Sequence, residues 1–417
     1  MRSIRCGWLW LALLLADPAR AVDVPPDLTL AFMVSSGAQR SAWADIVAAF
    51  RHDNPDIRVR NLVFGQEDYK QDTALQLQRR EVDLAFWFAG QRLQRAVRLG
   101  WLLPVDDLLS PALRERFVPA VMRGLRQGGH YWAVPVSYYP WGLLYRRSLF
   151  AALGLRVPAT WAQFLSILQH LQAVGIAPLG LGAKSGWPAA AWFDYLDLRL
   201  NGGRFHRQLL AGRADCRDPR VAAVLAQWQA LLRAGMFQPG AADREWDEVL
   251  PYLYRYQVGM VLAGSFALAY MPRTVLADIG FIPFPAMNAR QPRVEDAPLD
   301  VLVRPRTSRH GAAARRFIDF LLTHGELLAR YGETAFQLLP LRDGPPPEAP
   351  VLRESQQWLA QAAQLSFFFD RDATPALSEA ALPAFRRFLL PPYDSGQLWH
   401  SLCPRFPSLE RVHRLGG

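Results

Sequence analysis

Between Asp27 and Phe88 the hydrophobic period changes four times, and this alternation narrows the choice of fold more than any other stretch of the chain. Residues 27–34 (DLTLAFMV) alternate and are rich in β-formers, which predicts a strand. Residues 41–52 place Trp43, Ile46, Val47 and Phe50 on one helical face, and Asn54-Pro55 ends that helix. Residues 57–63 (IRVRNLV) alternate again. Residues 67–80 read as a second helix with Ala74, Leu75 and Leu77 apolar. Residues 82–88 (VDLAFWF) are nearly all apolar, as a strand covered on both faces should be. The order βαβαβ predicts a parallel α/β sheet with right-handed crossovers.

At 417 residues the chain exceeds one typical domain, so two lobes are expected. The N-terminus reads as an export signal. Arg2 and Arg5 are its basic region, residues 7–16 its apolar run, and Ala19-Arg20-Ala21 its cleavage site. Cys6 precedes the apolar run, which disfavours lipid anchoring at a cleavage-point cysteine. No later apolar run reaches the roughly 18 residues needed to cross a bilayer. Cys216 and Cys403 would then remain in an oxidising compartment; a disulfide between them is possible, and sequence leaves it open.

The formal charge of +10 invites a nucleic-acid reading. Cleavage after Ala21 lowers it to +8, and the remaining excess forms no basic stripe or nucleic-acid motif. Lys70 and Lys184 are the only lysines, so an Arg-biased chain retains a compact ammonium beside Gly182 and Gly186. Phosphate-loop, dinucleotide, zinc-protease and serine-hydrolase motifs are all missing, and no cofactor or metal is expected.

Near Tyr131 the pattern changes. YWAVPVSYYPWGLLYRR carries two prolines that disfavour a central strand, and it reads as a connection between lobes. Helices are expected at 160–173 (capped by Thr160), 190–200, 221–234, 242–256 and 312–323, strands at 258–262 and 279–283, and a loop at Pro345–Pro347. Trp43 and Trp161 take core positions by helical spacing. Trp87, Trp141 and Trp187 are read as binding candidates because each follows a strand or a turn and has Gly or Pro nearby. Indole and phenol rings with polar edges suit the C–H face of a pyranose, and neighbouring Asp, Gln, Arg and Lys can bond its hydroxyls.

These segments, with AFRHDNPDIRV, VDLAFWFAGQRLQRAVRLGWLLPVDDLL, VGMVLAGSFAL and DIGFIPFP in this order, resemble the extracellular solute-binding proteins of carbohydrate ABC transporters, the maltose-binding-like group. The resemblance implies a type II periplasmic-binding-protein fold, α/β and two-lobed, with three crossings and a ligand cleft between the lobes. It implies a signal peptide over 1–21, a first lobe from 22–135 plus 278–323, and a second from 136–277 plus 324–417. Sugar contacts would come from Ser35, Ser36 and Arg40, from Trp87, Gln91 and Arg92, and from Tyr138, Tyr139 and Trp141. Lys184, Trp187, Asp194, Ser265, Phe266, Phe369 and Asp370 would complete the ring. Two departures stand out: MVSSGAQR lacks the Trp and acid often found after the first strand, and Phe266 stands where a Trp is usual.

The implied protein is a periplasmic monomer and not an enzyme, binding a mono- or oligosaccharide by hinge closure and passing it to ABC permease subunits. A sugar-sensing partner of a membrane histidine kinase or chemoreceptor would share the fold. An exported polysaccharide-active enzyme would require a carboxylate pair in the cleft.

Overall fold

The computed structural model describes residues 27–34, 37–65, 69, 81–335 and 337–405. The expected signal peptide, Ser35, Ser36 and nearly all of the expected helix at 67–80 lie outside the described residues.

Two main sheets organise the described residues. The first contains β1 (Leu28–Val34), β2 (Val59–Gly65), β3 (Leu84–Phe88), β4 (Leu102–Leu103) and β5 (Val134–Tyr138). The second contains β6 (Trp141–Arg146), β7 (Ala177–Gly180), β8 (Val258–Gly264) and β9 (Ile279–Ile282). Then β10 (Val294–Asp296) leads into β11 (Leu299–Pro305), which rejoins the first sheet, and β12 (Gln364–Ser366) follows late in the chain. In the first sheet β1 pairs in parallel with both β2 and β3, as the alternation predicted. β11 is inserted antiparallel beside β3, with β5 on its other side. In the second sheet β6 runs antiparallel to β8 and β9, and β7 parallel to β8. β1 and β3 are buried throughout, consistent with helices on both faces.

Helix α1 (Gly37–Asp53) buries Trp43, Ile46, Val47 and Phe50 against the first sheet, and Trp43 stacks on Phe32 at 3.9 Å. Helix α2 (Gln91–Arg98) follows β3. Helix α3 (Trp161–Ala173) opens with a capping box in which Thr160 and Gln163 satisfy each other's backbone N–H; Trp161 is half-buried on the core of the second lobe. Helix α4 (Trp187–Leu210) is the long central helix of that lobe, and α5 (Pro219–Arg233) packs beside it.

Three expectations are corrected. Pro135 lies within a strand after all: β5 has β11 as its strand partner, with Tyr138 at its end bridging Leu338, and its register shifts opposite Asp300/Val301, so the missing N–H falls at an irregular sheet margin. Of residues 242–256, only Leu250–Tyr254 is helical. The lobe boundaries also move. β9 pairs with β6, so residues 279–282 belong to the second sheet. Helix α6 (Gly311–Thr323) and helix α7 (Gly325–Thr334) both pack on α1, so the first lobe continues past residue 323.

The three crossings lie side by side and are bonded to one another. Tyr138 and Leu338 exchange backbone hydrogen bonds, and Tyr139 N–H donates to the Pro298 carbonyl. β10 and β12 form a short parallel pair between the lobes. Cys216 and Cys403 form a disulfide, which the sequence left open; it spans 187 residues and fastens the chain's last described turn to the approach to α5. Because so long a loop constrains the unfolded chain, replacing both cysteines by serine is expected to cost about 2–5 kcal/mol, measured as a lower urea midpoint that reductant reproduces in the wild type.

Candidate functional site

A cleft of about 920 Å³ opens between the two sheets. Its first-lobe side is made by the carboxyl ends of parallel strands, where open α/β sheets bind ligands. Met33 and Val34 end β1, Gly65 ends β2, and Phe86 and Phe88 lie on β3. Arg92 projects from the first turn of α2.

The second-lobe side is a wall of aromatic rings. Trp141 opens β6 and Trp187 opens α4, and their rings meet edge to face at 5.8 Å. Trp246 and Tyr270 extend the wall, and Phe266 lies 5.3–6.0 Å from the rings of Tyr139, Trp141, Trp187 and Trp246. Gly186 makes the entry to α4 possible: its φ is +83°, and a Cβ there would fall 2.5 Å from the Leu382 carbonyl oxygen. The loop after β12 supplies Phe368, which stacks on Trp141 at 4.5 Å, together with Asp370 and Arg371.

Between the wall and the strand ends lies a polar floor. Arg371 Nη1 is 3.2 Å from Asp300 Oδ1, and its Nη2 donates to the Tyr139 hydroxyl at 2.6 Å. Its guanidinium lies 4.5 Å from the centre of the Phe88 ring. Gln337 Nε2 donates to Asp300 Oδ2 at 3.3 Å, and its Oε1 accepts from the Ser137 hydroxyl at 2.6 Å. Burial pushes the Asp300 carboxyl above its ordinary range, against the pull of Arg371. Burial likewise lowers Arg92, against the pull of Asp370, and Arg92 Nε donates to the Asp370 carbonyl at 3.4 Å.

Of the residues expected at the site, Arg92, Tyr139, Trp141, Trp187, Phe266 and Asp370 line this cleft. The others do not. Trp87 sits in the first-lobe core because neighbours on a strand face opposite ways, and Phe86 and Phe88 take the cleft face instead. Tyr138 and Phe369 are buried in the cores, and Ser265 is buried with its backbone N–H on the Pro140 carbonyl. Asp194 is fully buried behind the cleft, where it accepts from the Phe369 N–H. Gln91 and the exposed Arg40 lie off the cleft. Lys184 is also exposed; it stands at the rim, 3.5 Å from Glu245, which does line the cleft.

The sequence reading missed Asp300, Arg371, Gln337, Phe368 and Trp246. A signal existed for Asp300, a lone carboxylate in the otherwise apolar LDVLV, since a charge placed there needs a buried partner. Trp246 was hidden inside a stretch expected to be helical.

A family model of bacterial extracellular solute-binding proteins matches residues 35–326. The chain belongs to that family. Two uncharacterized ABC transporter extracellular-binding proteins of Pyrococcus horikoshii are 23% and 25% identical to it; the matches cover 69% and 70% of this chain but 66% and 67% of theirs, about two thirds of each relative. Among solved structures, the solute receptor AcbH, which has an exclusive preference for β-D-galactopyranose, superposes with a TM-score of 0.81 at 27% identity, covering 93% of this chain and 97% of AcbH. A chitin oligosaccharide binding protein has the same fold at 18% identity (TM-score 0.79, covering 94% of this chain and 100% of that one). The fold is thus the two-domain, type II solute-binding architecture. Among the described residues no helix is long and apolar enough to cross a membrane, and no cluster of metal-ligating side chains occurs.

Removing the guanidinium of Arg371 while keeping Asp300 leaves a buried carboxylate unpaired. Arg371→Met is expected to lose about 3–5 kcal/mol of folding stability, and Arg371→Met combined with Asp300→Leu to recover much of it, by urea unfolding.

Proposed function

We propose that this solute-binding protein is exported to the periplasm, captures a mono- or oligosaccharide in the cleft by closure of its lobes, and delivers it to an ABC permease. The observation that carries this reading is the pairing of an aromatic wall with a polar floor. Trp141, Trp187, Trp246 and Phe266 offer apolar faces suited to ring C–H groups, while Arg92, Asp300, Asp370, Arg371 and Gln337 line the same cleft with groups that can bond hydroxyls.

Charge supports an uncharged, hydroxyl-rich ligand. Arg371 is matched with Asp300, Lys184 with Glu245, and Arg92 feels the opposite charge of Asp370. The three adjacent crossings are the natural place for bending, since β10 and β12 pair over only three residues. The ligands in the descriptions of similar proteins, β-D-galactopyranose for AcbH and raffinose for RafE, define the first compounds to try.

Purified mature protein should therefore show a rise in melting temperature with at least one member of a panel containing D-galactose, raffinose and chitin oligosaccharides. The stabilisation would be about 2.7 kcal/mol at a hundredfold excess over Kd, with no change in the sugar by chromatography. A panel extended to uronates and pentoses that shifts nothing would sink the reading, and accumulation of cleaved sugar would replace it with an enzyme. Trp187→Ala, half-buried at the mouth of the wall, is expected to weaken binding by roughly ten- to a hundredfold, read by calorimetry with the circular-dichroism spectrum unchanged.

A further inference from the structure

The loop that delivers Phe368, Asp370 and Arg371 to the cleft is held from behind in an unusual way. Three successive backbone amides are each donated to a different buried carboxylate. Phe367 N–H donates to Asp372 Oδ2 at 3.1 Å, Phe368 N–H to Asp296 Oδ1 at 3.2 Å, and Phe369 N–H to Asp194 Oδ2 at 2.6 Å. The acids come from three elements: Asp194 from α4, Asp296 from the end of β10, and Asp372 from the short helix Phe369–Asp372. None is more than 7% exposed. Phe368 sits at φ +81°, a conformation that a bulky residue adopts only when its surroundings impose it. In that pose its ring reaches Trp141.

The cluster is poor in positive charge. Around the three acids stand Tyr195, Asp197, His206 and Arg207 of α4, Ser366 of β12, and the Arg199–Glu295 pair next to Asp296. His206 is fully buried; its Nδ1 is 2.8 Å from Asp197 Oδ2, and its Nε2 is 3.4 Å from Asp194 Oδ1 without a hydrogen bond forming. Asp296 Oδ2 has no hydrogen-bond partner among the described residues. Asp372 also reaches the first lobe: a Cβ on Gly90, at φ +81°, would fall 2.3 Å from Asp372 Oδ1, so only glycine admits the carboxylate there.

We infer that Asp194, Asp296 and Asp372 are positioning residues of the cleft: they set the pose of the loop at 367–372, and they do so best while the cluster retains a proton. Adjacent buried carboxylates cannot all be ionised without strong mutual repulsion. Burial, the largest influence, pushes Asp296 up to about 7 and raises Asp194 and Asp372 as well. The sign follows. A carboxyl with a raised pKa keeps its proton in the closed loop over a range where the opened loop has released it. The closed loop is therefore favoured at low pH, and the advantage fades as pH climbs from the ordinary carboxylate range through about 7.

The test is hydrogen exchange of the peptides spanning residues 364–373 in the ligand-free protein at pH 5 and pH 8, each corrected for the intrinsic rate. The wild type is expected to lose at least about tenfold of its protection at pH 8. Asp296→Asn, which keeps an oxygen acceptor for Phe368 and cannot ionise, should remove most of that pH dependence. Asp194→Asn is read the same way if the first variant does not fold. Equal wild-type protection at the two pH values, or an undiminished pH loss in the folded Asn variant, overturns the inference. In a second arm, affinity for D-galactose or raffinose should weaken over the same range. The inference rests on the sugar-binding reading only in that arm, so a failed ligand panel leaves the exchange result decisive.

Discussion

A guanidinium can be buried only where its charge is answered, and Arg371 is answered from three separate parts of the chain. Asp300 comes from the strand that returns to the first sheet, Tyr139 from the first crossing, and Phe88 from the end of β3. Without its partners the arginine would have to leave the cleft and take its loop with it. The same contacts therefore fix the hinge, the floor of the cleft and the register of the late loop. Gln337 and Ser137 carry the network on to the remaining crossing strands, so that all three passages between the lobes meet around one charge pair.

Much of the fold was legible because it is written in local periodicity. The parallel run β1, β2 and β3, the core positions of Trp43 and Phe50, and the capping box at Thr160 follow from spacing and propensity within short windows. What was not legible is set by long-range pairing. Pro135 argues against a strand by itself, yet β11 accepts it at a bulge on the sheet margin. Residues 279–282 look like the start of the return to the first lobe, but their partner is β6. Helix α7 follows α6 closely and stays on α1, which no count of residues announces.

The site divides in the same way. Trp141, Trp187, Tyr139, Arg92 and Asp370 were found because each stands beside a turn or a strand end. Trp87 and Phe369 were chosen one residue out of phase. On a strand or in a tight loop that error reverses the direction of the side chain, and Phe88 and Phe368 occupy the intended places. Lys184 stood out by rarity, but rarity is a property of composition, and its exposed ammonium meets the rim carboxylate Glu245. Asp300 and Arg371 were missed because neither is informative without the other.

The Cys216–Cys403 link closes a covalent ring that contains the second and third passages between the lobes. Only the first passage, at Tyr139-Pro140, lies outside it. A protease that nicks any single exposed bond between residues 217 and 402 therefore opens the ring without dividing the molecule, and both lobes remain one covalent body. Such a topology separates damage to the backbone from separation of the two lobes.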